Sequence, residues 1–208
     1  MDVPNREDLE GLAGFYRLLS RLWVAEIDEM WFEVLSEGSL AEAAGDLGLQ
    51  LEGPADEVIE QLAIEYCQLM IGPHGHVPPH QSVWSEGQFQ GKTVVSMQQY
   101  LDVVGEQIDS TMRDHLGIQL GVMGMVVDEL SSSLEDDTRR NDLMEMARSF
   151  FGDHVAWIEQ FLVRAGESTE SKFYGRLIAV TREFLAEECR EWLEESWLGS
   201  SARQRGGL

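Results

Sequence analysis

The stretch from Leu116 to Leu130 constrains the fold more than any other part of the chain. Leu116, Leu120, Met123, Val127 and Leu130 fall on one helical stripe, while Ile118, Val122, Met125 and Val126 put apolar side chains on the other sides. A helix that is apolar all round is at home only where other structure covers it. The densest part, Leu120 to Val127, holds two glycines and stops well short of the roughly 18 apolar residues of a membrane span. The stretch therefore predicts a central helix that other helices must surround.

The rest of the chain supplies candidates. Leu9, Leu12, Tyr16, Leu19 and Trp23 recur at three- and four-residue spacing, as do Ile59, Leu62, Ala63, Tyr66, Leu69 and Met70. Leu143, Met146, Ala147 and Phe150 open another helical pattern, continued by Val155, Ile158, Phe161 and Leu162; Phe173, Leu177, Ile178, Phe184 and Leu185 mark a last long helix. Ser39-Leu40-Ala41-Glu42 reads as a capping box opening a short helix that Gly45 to Gly48 would end. Ser131 to Asp137 reads as a polar connection. Ile71 to Thr93 contains Gly72, Pro73, Gly75, Pro78, Pro79, Gly87 and Gly91, and is expected to be one long loop; such loops in compact domains are commonly functional. Lys92-Thr93-Val94-Val95 is a short β-like run without a partner. The expected fold is all-α: a single-domain bundle of roughly eight to ten helices over residues 1–200, with a Pro/Gly-rich loop near the middle and a flexible tail over 201–208.

Charge narrows the function. The net charge is −23, and the 15 basic residues include only Lys92 and Lys172 as lysines. Nucleic-acid backbones are poor partners for such a surface, and basic partners good ones. Abundant carboxylates with almost no lysine also fit a surface adapted to concentrated salt. The acidic N-terminus lacks a basic-then-apolar leader, so no secretory signal is expected. Cys67 and Cys189 read as buried thiols rather than a disulfide.

Enzyme signatures are missing from the sequence. It has no Walker-type phosphate loop, no GxGxxG after a strand, no HExxH, no CxxC and no GxSxG. The best metal candidate is His74-Gly75-His76 with His80 and Cys67, but a structural zinc site needs four ligands at defined spacing. No metal or cofactor is expected, and a small metal-dependent enzyme built on His74, His76 and His80 is the least favoured alternative.

Three segments carry a resemblance. Glu65-Tyr66-Cys67-Gln68-Leu69-Met70-Ile71-Gly72-Pro73, followed by Val77-Pro78-Pro79-His80-Gln81-Ser82-Val83-Trp84, resembles the Y-x-x-L-F-x-G-P…P-P-x-x-S-x-[YW] pattern of the TorD/DmsD family of molybdoenzyme-specific chaperones. Asp114-His115-Leu116-Gly117-Ile118-Gln119-Leu120 is similar to that family's D-H-[LI]-[GA]-x-x-L segment, and Phe150 to Trp157 to its F-x-x-x-H-[LV]-x-x-W segment. Met70 replaces the usual aromatic, and Gln81 stands where an acidic residue is common.

The resemblance implies a cytoplasmic helical chaperone, monomeric or a domain-swapped dimer. It would bind the twin-arginine leader, or the body, of a molybdopterin-containing oxidoreductase, delaying export and assisting cofactor insertion. The alternative within the same lineage is a NarJ-type assembly factor acting on the body of a nitrate-reductase-like subunit. On the matching positions, the residues implicated in partner binding are Tyr66, Gly72, Pro73, Pro78, Pro79, Ser82, Trp84, Asp114, His115, His154 and Trp157. Read on their own, several have second roles. Asp114 suits a helix N-cap, orienting His115, or an arginine partner; His115 suits a satisfied interior histidine. Tyr66 and Trp157 fall on core stripes, and Gly72-Pro73 suits a helix exit.

Overall fold

A computed structural model describes residues 5–72, 76–105 and 112–193 of the 208. Its architecture is all-α. Ten helices follow in order: α1 (Arg6–Val24), α2 (Glu29–Ser36), α3 (Ala41–Asp46), α4 (Ala55–Tyr66), α5 (Gln81–Glu86), α6 (Lys92–Val104), α7 (Leu116–Ser132), α8 (Asp137–Phe150), α9 (Ile158–Ser168) and α10 (Lys172–Leu193). Cys67–Ile71, after α4, and Phe151–Val155, after α8, are π-helical turns. Among the described residues there is no strand, and no helix is long and apolar enough to cross a membrane.

The apolar α7 is the centre, as its pattern demands. Leu116, Leu120, Val122, Met123, Val126 and Val127 are each 0% exposed. Helix α1 lies closest to it, because small residues on α7 face it. A Cβ on Gly117 would stand 2.8 Å from Val24 N and 2.9 Å from Ser20 O; one on Gly124 would stand 3.1 Å from Tyr16 Cβ. Glycine at these positions lets the two backbones approach. Leu9, Tyr16, Leu19 and Trp23 of α1 are fully buried against this axis. Helix α10 closes the bundle through polar ties as well as packing: Trp23 Nε1 donates to Thr181 Oγ1 at 3.0 Å, and Tyr16 Oη donates to Glu188 Oε2 at 2.7 Å.

The structure corrects several sequence expectations. Ile71–Thr93 is not one loop: it contains α5 and the start of α6, and the β-like run Lys92–Val95 is helical. The reason is a cap from a distance, since Glu86 accepts the N–H groups of Lys92 at 2.9 Å and Thr93 at 3.1 Å. Gly87, at φ 72°, ends α5 in the left-handed region. The short α3 exists, but its N-cap is Leu40 and no side chain caps it, so Ser39 does not form the expected box. Helix α7 runs to Ser132, shortening the Ser131–Asp137 connection. Asp114 does not cap α7; His115 does. Both cysteines are free, but Cys67 is exposed and Cys189 half-buried.

Candidate functional site

The segment before α5 is stitched to the head of α7. Leu116 N–H donates to Pro79 O at 2.9 Å and Gln81 N–H to Asp114 O at 3.0 Å, making an isolated antiparallel bridge between His80 and His115. Val77 N–H donates to Leu69 O at 2.7 Å. The Pro78–Pro79 wall is thus held from both sides, and Trp84 props it from behind by donating Nε1–H to Pro78 O at 2.8 Å.

Asp114 anchors the junction. It is 1% exposed; Oδ2 accepts the Ser82 N–H at 2.7 Å and Oδ1 lies 3.5 Å from His80 Nδ1. Burial pushes its carboxyl up, but the His80 ring and Ser82 outweigh this and hold it at about 2. His115 caps α7 by accepting the Gly117 N–H on Nδ1 at 3.1 Å. Burial, then the adjacent His80, lowers its pKa to about 3, so the ring is neutral near pH 7 with its proton on Nε2.

Behind the bridge lies a buried polar network. Gln81 Nε2 donates to Asp153 O at 2.5 Å, and Gln119 Nε2 donates to Gln81 Oε1 at 2.7 Å, which fixes the orientation of the Gln81 amide. His154 Nδ1, 2.9 Å from the same Oε1, must donate; Nε2 then accepts from Ser96 Oγ at 3.0 Å. Trp157 Nε1 donates to Gln119 Oε1 at 2.8 Å. Burial lowers His154 to about 4 against the opposing pull of Asp153 and Asp114. The π-helical turn at Phe151–Val155 makes this possible: one extra residue in a turn re-aims the following side chains by about 100°.

In front of the bridge lies a groove of about 470 Å³. Tyr66, Met70, Pro78, Pro79 and His115 form its body, with Val24, Ile71, Phe89 and Met112 exposed around it. Ile71 is 62% exposed and Phe89 49%, large values for apolar side chains gathered at one place.

The residues singled out in the sequence therefore separate into two groups. Tyr66, Pro78, Pro79 and His115 line the groove. Ser82, Asp114, His154 and Trp157 are buried behind it, and Trp84 packs half-buried against Phe161, ring centroids 6.3 Å apart. Gly72 ends the π-helical turn, donating its N–H to Cys67 O at 2.6 Å. Pro73 and His74 lie outside the described residues, as does the tail 201–208. Among the described residues, no group of three or more His, Cys, Asp or Glu is placed to hold a metal ion. Sequence reasoning missed Val24, Phe89 and Met112. The faint signal was Phe89, a lone large apolar residue between Gly87 and Gly91.

The helical bundle seals its polar network inside and leaves an apolar groove outside. The chain belongs to the nitrate reductase delta subunit family, whose model matches residues 36–163, a span that holds the buried network and the groove residues other than Val24. It is 25% identical over 170 residues to chaperone protein YcdY of Escherichia coli (strain K12), covering 79% of this chain and 84% of that one. It is also similar to the crystal structure of a candidate redox enzyme maturation protein from Archaeoglobus fulgidus, at 22% identity and a TM-score of 0.46, covering 86% of this chain and 93% of the other.

Proposed function

We propose that this protein is a redox-enzyme maturation chaperone that binds the N-terminal twin-arginine leader of a molybdopterin-containing oxidoreductase subunit, in the cytoplasm, before that subunit is exported. The observation that carries the reading is the groove. Its apolar walls suit the apolar run of a leader, and the net charge of −23 attracts its arginines. The rigid double-proline wall, fixed by the His80–His115 bridge, reduces the ordering cost of binding. Calorimetry with the leader of a reductase encoded beside this chain tests it: binding in the micromolar range, about −8 kcal/mol, is expected. No heat, and no competition by excess peptide, would sink it.

A second reading has its own support. The matching family is described by a nitrate reductase subunit, and the chaperone relative is matched over most of its length. On that reading the same groove holds a segment of the client's body. Co-purification with the catalytic subunit, with and without its leader, separates the two.

A further inference from the structure

A second groove, of about 600 Å³, runs between α10 and the π-helical turn that leads into α9, and shares no lining residue with the first. Phe151, Val155 and Leu185 form its floor, none more than 6% exposed. Ala156, Ala179 and Ala186 stand along it, and their short side chains leave the space open. Its size is in the range of sites that take up a large apolar group. Toward the start of α10, Arg182 bounds it, donating from Nε to both oxygens of Glu159 at 3.2 Å and from Nη2 to one of them at 2.6 Å. Two carboxylates, Glu159 and Glu183, balance two guanidiniums, Arg182 and Arg190. On a chain of net charge −23 this groove is therefore not acidic, and it selects by apolar content rather than by charge.

The other end of the groove is where the described part of α10 stops. Arg182, Ala186 and Cys189 face the groove at four- and three-residue steps, and the next residue on that face is Leu193. Leu193 is seated there. A Cβ on Gly152, beside Phe151, would stand 3.7 Å from its Cδ2, and its carbonyl accepts from Arg148 Nη2 at 3.4 Å. The chain beyond it thus leaves from the mouth of the groove. Residues 194–208 are polar or small apart from Trp197, Leu198 and Leu208. Trp197 lies four residues past Leu193, a reach of up to about 13 Å, while the groove from Cys189 to Ala179 follows about 15 Å of α10.

We propose that this groove is the seat of the chain's own C-terminal segment, with the Trp197 indole laid on the Phe151, Val155 and Leu185 floor. The indole supplies the large apolar surface that the alanine-lined space lacks. Attachment at the mouth keeps the segment at millimolar effective concentration, ahead of any free partner. The proposal is independent of what the first groove binds.

Cys189 lines the groove half-buried, so its thiol reports whether the groove is covered. In a Cys67→Ser background it is the single thiol of the chain, and its rate of alkylation by a maleimide is measured with Trp197 in place and in Trp197→Gly. Thermal midpoints confirm the fold of each. Trp197→Gly is expected to speed alkylation about tenfold, as for loss of a cover that opens only locally. A synthetic peptide of residues 194–208, added at millimolar concentration to Trp197→Gly, is expected to restore the slow rate. Gln204→Ala, a polar change in the same segment, is expected to alter nothing. Equal rates with and without Trp197 overturn the proposal and leave the groove to a partner chain. Faster alkylation that the peptide does not reverse overturns it too, since Trp197 then acts from outside the groove. Protection that is lost on dilution assigns the groove to the segment of a second copy and overturns the intramolecular seat.

Discussion

Ser82 and Asp114, 32 residues apart, are joined by one short bond: the Ser82 N–H donates to Asp114 Oδ2 at 2.7 Å, away from solvent. That carboxylate does for α5 what a local N-cap residue does for an ordinary helix, satisfying an N–H of the first turn. Its other oxygen lies 3.5 Å from His80 Nδ1, beside the His80–His115 backbone bridge that holds the wall of the groove against the head of α7. Asp114 belongs to the groove as its support rather than its surface.

Replacing it should show this directly. Asp114→Ala leaves a buried N–H unsatisfied and is expected to cost about 2 kcal/mol; Asp114→Asn, which keeps an acceptor, about 1. The sign of the pH effect follows from a carboxyl lowered from 3.8 to about 2. Its stabilisation is complete above pH 3.8 and is lost as pH falls through 2. Denaturant midpoints between these limits should fall for wild type and stay flatter for Asp114→Asn. Parallel curves would mean that the charge contributes nothing.

The histidines act at a higher pH. His154 falls from 6.5 to about 4 and His115 from 6.5 to about 3, so the folded state binds fewer protons than the unfolded chain. Stability is therefore full above pH 6.5 and declines below it, until each folded pKa is passed. His154→Gln should reduce the slope by about one proton, 1.4 kcal/mol per pH unit, between pH 6 and 4. An unaltered slope would show that His154 is already protonated in the fold.

How much of this was legible depends on where the information lies. The stripes of α1, α7 and α10 are local and periodic, so burial of Leu9, Tyr16, Leu120 and Leu177 was readable from spacing alone. Helix α5 and the first turn of α6 were not, although helix from about Val95 onward was, because the acceptors that start them, on Asp114 and Glu86, lie outside the helices they cap. The pairings of Gln81 with Gln119, and of His154 with Ser96, are equally non-local. The groove was half legible. The Tyr66 and Pro78-Pro79 motif announced it, but Phe89 and Met112 reach it only through the fold.

Glycine on α7 is not interchangeable with glycine on α1. A methyl at Gly117 would press on backbone atoms of Val24 and Ser20, at 2.8 and 2.9 Å, which cannot rotate away; one at Gly14 meets nothing within 4 Å. Gly117→Ala is expected to destabilise by about 2 kcal/mol by overpacking, and Gly14→Ala to stabilise by about 0.5 through helix propensity. Chemical denaturation of the two variants compares them. Equal effects would contradict the close α1–α7 approach.

The exposed groove residues should separate binding from folding. Ile71→Ser and Phe89→Ser remove apolar side chains that are 62% and 49% exposed, so stability should change by no more than about 0.5 kcal/mol. Each is expected to weaken leader or client binding by about tenfold if it is an anchor in the groove. Undiminished binding by both variants would move the docking surface elsewhere.

Salt should stabilise the fold, and its effect on the interaction depends on what carries the affinity. At −23, with two lysines, the folded chain holds its carboxylates closer together than the unfolded chain does and repels itself. At about 0.01 M salt the Debye length is about 30 Å and the repulsion spans the molecule; at 1 M it is about 3 Å and only neighbouring charges interact. The unfolding midpoint should therefore rise with potassium chloride, most steeply at the low end. A continued rise at molar concentration would require a second contribution, from ions excluded at apolar surface. The same screening weakens attraction between an acidic chain and a basic leader. If arginine pairing carries the affinity, binding weakens across the salt series that stabilises the fold. If apolar burial around Ile71 and Phe89 carries it, binding holds or strengthens. Measuring midpoint and affinity on the same samples distinguishes the two, and a midpoint that does not move with salt would overturn the reading of the acidic composition as salt adaptation.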